Sequence, residues 1–385
     1  MTSAAETPET AAASAATPDA LSPDDLRFMQ LALALGRRGL GRTWPNPAVG
    51  AVVVKDGVIV GRGWTQPGGR PHAETEALKR AGREAKGATM YVTLEPCSHH
   101  GKTPPCADAI IKAGVARVVS ALEDVNPQVA GQGYAKLRER GIVVETGLGR
   151  EQAEHDHAGH SRRMRDGRPH VLLKLATSSD GKAGLAGRKP VAITGEMARQ
   201  RVHQMRAEAD ALLVGIGTVL ADDPHLTCRL PGMFERSPVR VVLDARLRIP
   251  LSTAIVGTAR EVPVWVFGAQ GASPVAEDIL KAKGVEVFRV DAKDGRLDLA
   301  QVMKLLAERG ITRLMVEGGP IVAASFLAAD LVDEAALFRS PNEIGLTGIN
   351  MLEGVPLTAL TQSPKLLRVA TEAVGDDTLT MYERA

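Results

Sequence analysis

Cysteine is scarce in this chain, at three in 385 residues. So few cannot build a disulfide scaffold, and an odd number leaves at least one thiol unpaired, so a reducing compartment, the cytoplasm, is expected. Long apolar runs are missing as well. No uninterrupted stretch reaches the roughly 18 residues that a membrane span requires. Residues 1–20 are rich in Ala, Thr, Pro and Glu and show no basic segment leading into an apolar one, so they read as a disordered tail rather than a secretion signal. Excess charge of one sign is absent too: 47 Lys+Arg against 45 Asp+Glu leave a net charge of +2. That is too little for a phosphate-backbone surface, so nucleic acid is not an expected partner. Aromatics make up only 3%. What remains is a 44% hydrophobic, 24% charged chain with 39 Gly and 23 Pro, the composition of a soluble globular protein with many tight turns. Its length exceeds the roughly 250 to 300 residues at which one hydrophobic core stops growing, so two domains are expected.

Ser22-Pro23-Asp24-Asp25 places a capping residue, a proline and two acids ahead of the periodic apolar residues Leu26, Met29, Leu33 and Leu35. This predicts a helix that ends near Gly36 or Gly39. Asp56-Gly57 between the apolar runs 49–54 and 58–61 predicts a hairpin. A helix over 73–81, a strand over 89–94, a helix over 107–113 and a strand over 115–122 follow. The polar segment 151–168 precedes a new apolar run at 171–176, which divides the chain into a first domain (21–150), an interdomain segment (151–169) and a second domain (170–385). In the second domain, predicted strands (211–214, 239–244, 264–267, 285–290, 313–317) alternate with helices (197–206, 274–283, 299–309, 321–328). Both domains read as α/β, with no internal repeat.

The sharpest chemical signal is His72-Ala73-Glu74, followed by Glu95-Pro96-Cys97 and then Cys106. One imidazole and two thiolates leave an open fourth position on a tetrahedral zinc ion, the arrangement of a catalytic site; a structural zinc is normally closed by a fourth protein ligand. Water in that position has its pKa lowered toward about 7 and can attack an electron-poor ring carbon. Glu74, at the start of a helix, is placed to take the water's proton and hand it to a leaving amine. The general zinc-deaminase signature is H-x-E with P-C-x-x-C. Here eight residues, from Ser98 to Pro105, separate the two cysteines. Spacing alone therefore does not identify the ligands, and ordinary buried thiols beside a satisfied histidine are the alternative.

Pro45-Asn46-Pro47-Ala48-Val49-Gly50, Pro71-His72-Ala73-Glu74, the run from Val92 to Cys106, and Asp124-Val125-Asn126-Pro127-Gln128-Val129 closely resemble the bifunctional deaminase/reductase family of riboflavin biosynthesis. The longer cysteine loop is that family's own version of the motif. The resemblance implies a cytidine-deaminase-like first domain in which His72, Cys97 and Cys106 hold one zinc ion and Glu74 shuttles the proton. It also implies a substrate pocket containing Asn46, His99 and Lys102, with the lysine suited to a phosphate.

In the second domain, Glu317-Gly318-Gly319-Pro320 joins an apolar strand to a helix, where glycine lets a ligand approach the backbone and free N–H groups favour an anion. It is not the G-x-G-x-x-G fingerprint. Gly215-Ile216-Gly217-Thr218 is equally open between a ligand loop and a tight turn. The family resemblance continues through Leu173-Lys174-Leu175-Ala176, Ser179-Asp180-Gly181-Lys182, Ile193-Thr194-Gly195 and the run from Thr218 to Thr227, and covers the chain from Leu26 to its end. It implies a dihydrofolate-reductase-like fold. NADPH would contact Ala176, Thr218, Asp222, Gly319, Pro320, Ile321, Val322, Ala323, Ala324 and Ser325; Lys174, Arg206, Leu226, Arg229 and Glu317 would line the substrate site. The sequence departs from the family at Ser179, where an apolar residue is usual, and at Pro190 and Ala192, where a serine and a nicotinamide-packing tryptophan are usual.

The activity so implied is deamination of a diaminopyrimidine ribotide at C2, followed by NADPH-dependent opening of its ribosyl group to a ribityl chain, in a homo-oligomer. A deaminase with an inactive reductase domain, and a zinc-containing nucleotide-binding module, are the alternatives. His155, Asp156, His157 and His160 read as a solvated face or helix end, Arg162, Arg163 and Arg165 as a solvated charge run, and Cys228 as a plain thiol.

Overall fold

Ser22 opens the first helix, Pro23–Arg37, with a reciprocal capping box: its Oγ accepts from the Asp25 backbone N–H, and the Asp25 carboxylate accepts from the Ser22 N–H at 2.7 Å. The same carboxylate is buried and accepts the Tyr91 hydroxyl at 2.6 Å and Arg117 Nη1 at 2.7 Å, which ties the helix start to two neighbouring strands. Burial opposes its ionisation, but the bonds from Arg117, Tyr91 and Ser22 hold Asp25 well below the usual carboxylate range. The computed structural model describes residues 21–101, 103–185 and 191–385. The tail 1–20, Lys102 and Pro190 lie outside them.

Asp56 and Gly57 both take positive φ, 49° and 75°, and form the tight turn between the strands Gly50–Lys55 and Val58–Trp64. With Thr89–Val92, Arg117–Ser120 and Val143–Thr146 these make a five-stranded sheet in the order Val58–Trp64, Gly50–Lys55, Thr89–Val92, Arg117–Ser120, Val143–Thr146. The first two pairings are antiparallel and the last two parallel. Helix Pro23–Arg37 lies so close on this sheet that a Cβ at Gly50 would fall 1.9 Å from the Ala32 carbonyl oxygen. The final pair, helix Gln132–Arg138 and strand Val143–Thr146, was not read from the sequence. Val143 and Thr146 are exposed at this sheet edge, so the strand shows little apolar pattern.

The second sheet has nine strands, in the order Glu286–Val290, Val264–Ala269, Val239–Leu243, Ala211–Gly215, Arg313–Val316, His170–Thr177, Glu334–Arg339, Asp377–Arg384, Leu366–Val374. The first seven run parallel, and Ala211–Gly215 near the middle is buried at all five positions, covered on both faces. The last two form an antiparallel hairpin. Sequence reading missed the strands after Ala328, and Leu366–Val374 is exposed along most of its length.

Residues 151–168 overturn the expectation of a solvated segment. They form two helices, Arg150–Asp156 and Ala158–Asp166, packed between the sheets. His157 and His160 are buried, with His157 Nε2 3.1 Å from Thr93 Oγ1 and His160 Nε2 donating to Asp124 Oδ1 at 2.8 Å. Arg162 pairs with Asp333 at 3.0 Å, and Arg163 Nε donates to the Ala307 carbonyl at 2.7 Å, both partners in the second sheet's domain. The approach is tight: a Cβ at Gly159 would meet the Thr312 carbonyl oxygen at 2.9 Å. No helix among the described residues is long and apolar enough to cross a membrane.

Glu334, at the start of its strand, accepts from His170 Nε2 at 2.8 Å and lies 3.7 Å from His155 Nε2 on the interdomain helix. Burial opposes its charge, yet the hydrogen bond from His170 and the nearby cations pull it down from 4.5 to about 2. A carboxyl depressed on folding stabilises the fold above its unfolded pKa and loses that contribution as the pH falls through the folded value. Stability is therefore expected to drop between pH 4.5 and about 2, and Glu334→Gln should shrink that drop. Urea midpoints at neutral and acid pH for both proteins check this; the same acid loss in the variant would sink it.

Candidate active sites

His72 ends a loop and stands as the N-terminal flank of helix Ala73–Ala81, which places Glu74 in the first turn, buried. Cys97 follows strand Thr89–Val92 through a loop pinned by Glu95, whose carboxylate accepts four backbone N–H groups, from Asp124, Gly131, Gly133 and Tyr134. Glu95 is a positioning residue that the sequence did not disclose. Cys106 opens helix Cys106–Ala113, and its own N–H points at Cys97 Sγ, 3.3 Å away.

His72 Nδ1 lies 3.3 Å from Cys106 Sγ and 3.8 Å from Cys97 Sγ, and all three donor atoms lie within 4.8 Å of one another. Tetrahedral zinc, with Zn–S near 2.3 Å and Zn–N near 2.0 Å, sets its ligand atoms about 3.5 to 3.8 Å apart. The donors are thus gathered at zinc-ligand spacing. A hydrogen bond from the Cys106 thiol, with help from His72, lowers the Cys97 thiol against the effect of burial, in the direction of the thiolate that binds a metal. The same hydrogen bond, together with burial, pushes Cys106 up. Burial raises Glu74 from 4.5 to about 7.

A cavity of about 170 Å³ opens beside this triad. Asn46, His72, Glu74, Cys97 and His99 line it, while Cys106 is buried behind the wall. The Asn46 amide nitrogen donates to the Gly69 carbonyl at 2.7 Å and lies 3.4 Å from His72 Nε2. Arg70, Asp124, Asn126, His160 and Arg163 also line the cavity and had not been assigned to the pocket. Asp124 and Asn126 stood in a recognisable motif; His160 and Arg163 carried no such signal.

The second cavity, about 900 Å³, lies in the nine-stranded domain. Gly319 flanks helix Pro320–Ala328, whose first N–H groups have no partner within the helix. The Gly-Gly pair divides its roles. A Cβ on Gly318 would fall 2.5 Å from Val322 Cβ, so packing requires that glycine, whereas one on Gly319 would meet only Thr218 Oγ1, at 3.5 Å. Thr218, Asp222, Gly319, Pro320, Ile321, Val322 and Ser325 line the cavity, as do Gly215, Gly217, Arg246 and Arg248. Three expected residues do not. Ala323 is fully buried in the core, and Ala324 and Ala176 pack against core clusters, because successive helix positions and alternate strand positions turn away from the cavity. Val191 reaches the cavity wall; neighbouring Ala192 is exposed.

A charged cluster surrounds Glu317, next to Gly318. Arg206 grips its carboxylate with two hydrogen bonds, 2.6 and 2.9 Å, and Lys174 Nζ stands 3.9 Å away. Burial opposes the Glu317 charge, but Arg206 and Lys174 keep its carboxyl below the usual range. Burial lowers Lys174. Arg229 donates its backbone N–H to His203 Nδ1 at 3.3 Å, and burial, Arg206 and Arg229 push His203 down to about 4, so it stays neutral. His203 was not anticipated. Among the described residues, Arg206 and Lys174 face Glu317, and the exposed Arg229 lies near enough to sense its charge, a cationic surplus that suits a phosphorylated ligand. Leu226 takes φ 55°, and its side chain is buried in the core. Cys228 is a buried thiol directed at the His203 carbonyl.

Comparison with known proteins agrees with this geometry. The family described as "Cytidine and deoxycytidylate deaminase zinc-binding region" matches residues 22–122, and "RibD C-terminal domain" matches residues 169–380. The chain is 45% identical to the riboflavin biosynthesis protein RibD of Bacillus amyloliquefaciens over 91% of its own length and 94% of the relative's. The solved structure of Acinetobacter baumannii RibD superposes with a TM-score of 0.84 at 36% identity, covering 94% of this chain and 99% of that one. A Thermotoga maritima diaminohydroxyphosphoribosylaminopyrimidine deaminase/5-amino-6-(5-phosphoribosylamino)uracil reductase gives 0.81 at 36% identity, covering 94% and 98%. A donor triad at zinc spacing, a reductase domain behind it and relatives matched end to end together mean that this chain belongs to the RibD family of riboflavin-biosynthesis proteins, which join a zinc-dependent deaminase to a reductase.

Proposed function

We propose that the chain hydrolytically deaminates 2,5-diamino-6-(5-phosphoribosylamino)pyrimidin-4(3H)-one to 5-amino-6-(5-phosphoribosylamino)uracil, then reduces that product to 5-amino-6-(5-phosphoribitylamino)uracil. The observation that carries this reading is the open-sided triad of His72, Cys97 and Cys106 with the buried carboxyl of Glu74 on the same cavity wall. Residues 21–150 are assigned to deamination and 170–385 to reduction, with 151–169 between them. Three free thiols are in keeping with a cytoplasmic location.

Zinc, when held by the triad, supplies a water whose pKa is lowered toward about 7. Glu74 takes the proton of that water as its oxygen bonds to C2 of the pyrimidine. It then gives the proton to the departing amino group, which leaves as ammonia when the C–N bond breaks. Glu74, buried on the cavity wall beside the triad, is placed for both halves of this exchange. Asn46 and His99 orient the ring from the cavity wall.

In the second domain the free N–H groups beside Gly319, with Thr218, Asp222 and the arginines Arg246 and Arg248, form a cradle of a size and charge suited to a phosphorylated dinucleotide. NADPH held there would supply the hydride that reduces C1 of the ribosyl group, whose C1–O4′ bond breaks while the ring oxygen takes a proton from solvent, leaving the open ribityl chain. Lys174, Arg206 and Arg229 hold the substrate's phosphate, and Glu317 fixes Arg206 and Lys174 in place. The test is a coupled assay on the purified chain, following ammonia release and NADPH oxidation from the diaminopyrimidine ribotide. Equal amounts of both, with reduction lagging deamination, are expected. Ammonia without NADPH oxidation would leave a deaminase only; neither product with zinc bound would end the enzymatic reading.

A further inference from the structure

Among the described residues, the deaminase cavity is lined by two arginines, Arg70 and Arg163, to which the deamination chemistry assigns no role. The carboxylates on the same wall are engaged elsewhere: Glu95 accepts four backbone N–H groups, and Asp124 accepts from His160 Nε2 and the Asn126 N–H. Glu74 is reserved for the proton. Arg70 belongs to the metal end. It precedes Pro71-His72, donates to the Thr103 hydroxyl at 2.5 Å, and stands close enough for its charge to act on the His72 imidazole.

Arg163 comes from another wall, the interdomain helix Ala158–Asp166, alongside His160 and Met164. Among the described residues it forms no ion pair within 4 Å, the Asp210 carboxylate acting on it only at longer range, and its hydrogen-bond partner is the Ala307 carbonyl, which takes Nε at 2.7 Å. That bond leaves the edge made by Nη1 and Nη2 unpaired. A half-buried guanidinium held at Nε and open along its other edge is shaped for the two oxygens of a phosphoryl group. The reacting ring carbon must sit at the His72–Cys97–Cys106 triad, so the phosphoribosyl arm has to extend away from it.

We infer that Arg163 binds the phosphoryl group of the deaminase substrate, and that the second domain, through the Ala307 carbonyl, holds this arginine in place. The inference rests on the deaminase reading above. It makes the interdomain helix part of the first active site, so that recognition of the first substrate is completed by the domain that performs the second reaction.

The test compares ammonia release from the phosphorylated ribotide and from its dephosphorylated riboside, using the full-length zinc-loaded chain. Arg163→Met is expected to raise KM for the ribotide by about 10 to 100 fold, the range of a hydrogen bond to a charged group, while kcat changes little. The riboside should show no matching loss. Inorganic phosphate should compete with the riboside in wild type and no longer do so in the variant, and Arg163→Lys should recover part of the ribotide KM. Unchanged zinc content and unchanged reduction of supplied intermediate would show that the variant is folded. An equal loss on ribotide and riboside would overturn the inference in favour of a structural role. No loss on either, with a selective ribotide defect in Lys102→Met, would overturn it in favour of that lysine. A wild-type chain that releases ammonia from neither compound would instead defeat the deaminase reading itself.

Discussion

Glu74→Gln is expected to cut ammonia release by about 10² to 10⁴ fold, the usual contribution of a positioned acid–base group, while reduction of supplied deaminated intermediate proceeds at the wild-type rate. Glutamine keeps the volume of a side chain that is only 4% exposed, so the loss should reflect the missing proton carrier rather than a cavity. The reductase cavity is built from residues of the second domain, far along the chain from Glu74, and should not register the change. Zinc content should match wild type, because the three donor atoms belong to His72, Cys97 and Cys106. Parallel assays of ammonia, NADPH oxidation and bound zinc check all of this. A loss below tenfold would remove Glu74 from the proton path, and a parallel loss of reduction would mean that the two sites are not separable.

Cys106→Ser should abolish stoichiometric zinc and, with it, ammonia release. The donor set is one nitrogen and two sulfurs at zinc spacing. Replacing a thiolate with a hydroxyl that stays protonated near neutral pH leaves two protein ligands, too few for a stable zinc site. Cys106 is buried with its N–H on Cys97 Sγ, so the substitution also disturbs its partner. A chelator applied to wild type should reproduce the loss, and added zinc should restore wild type but not the variant. NADPH-dependent reduction of supplied intermediate should continue in both. Full zinc occupancy and activity in Cys106→Ser would refute the ligand assignment.

Much of the first site could be read directly because its signal is local. Glu74 is two residues from His72 on one helix start, and the run from Val92 to Cys106 carries both thiols on one loop. Resemblance resolved the ambiguity left by the long cysteine spacing. The second site was read through resemblance more than through residues, and the side chains of Leu226, Ala176 and Ala323 pack into the core instead of lining a cavity wall. A motif locates a stretch of backbone; which of its side chains turn inward depends on how the strand or helix is seated. The Gly318-Gly319 pair shows the same limit, since one glycine answers to Val322 and the other borders the cavity.

What the sequence determined by itself was whatever short-range chemistry sets: the Ser22 capping box, the Asp56-Gly57 turn, the α/β alternation and the order of metal donors. The tertiary structure alone decided the fate of residues 151–168. Charge and polarity there mark a solvated face or an interface equally well, and the partners that settle the matter are remote: Asp124 lies 36 residues from His160, Thr93 lies 64 from His157, and Ala307 lies 144 from Arg163. A buried polar group needs a partner, and no local pattern announces one that folding brings from another domain.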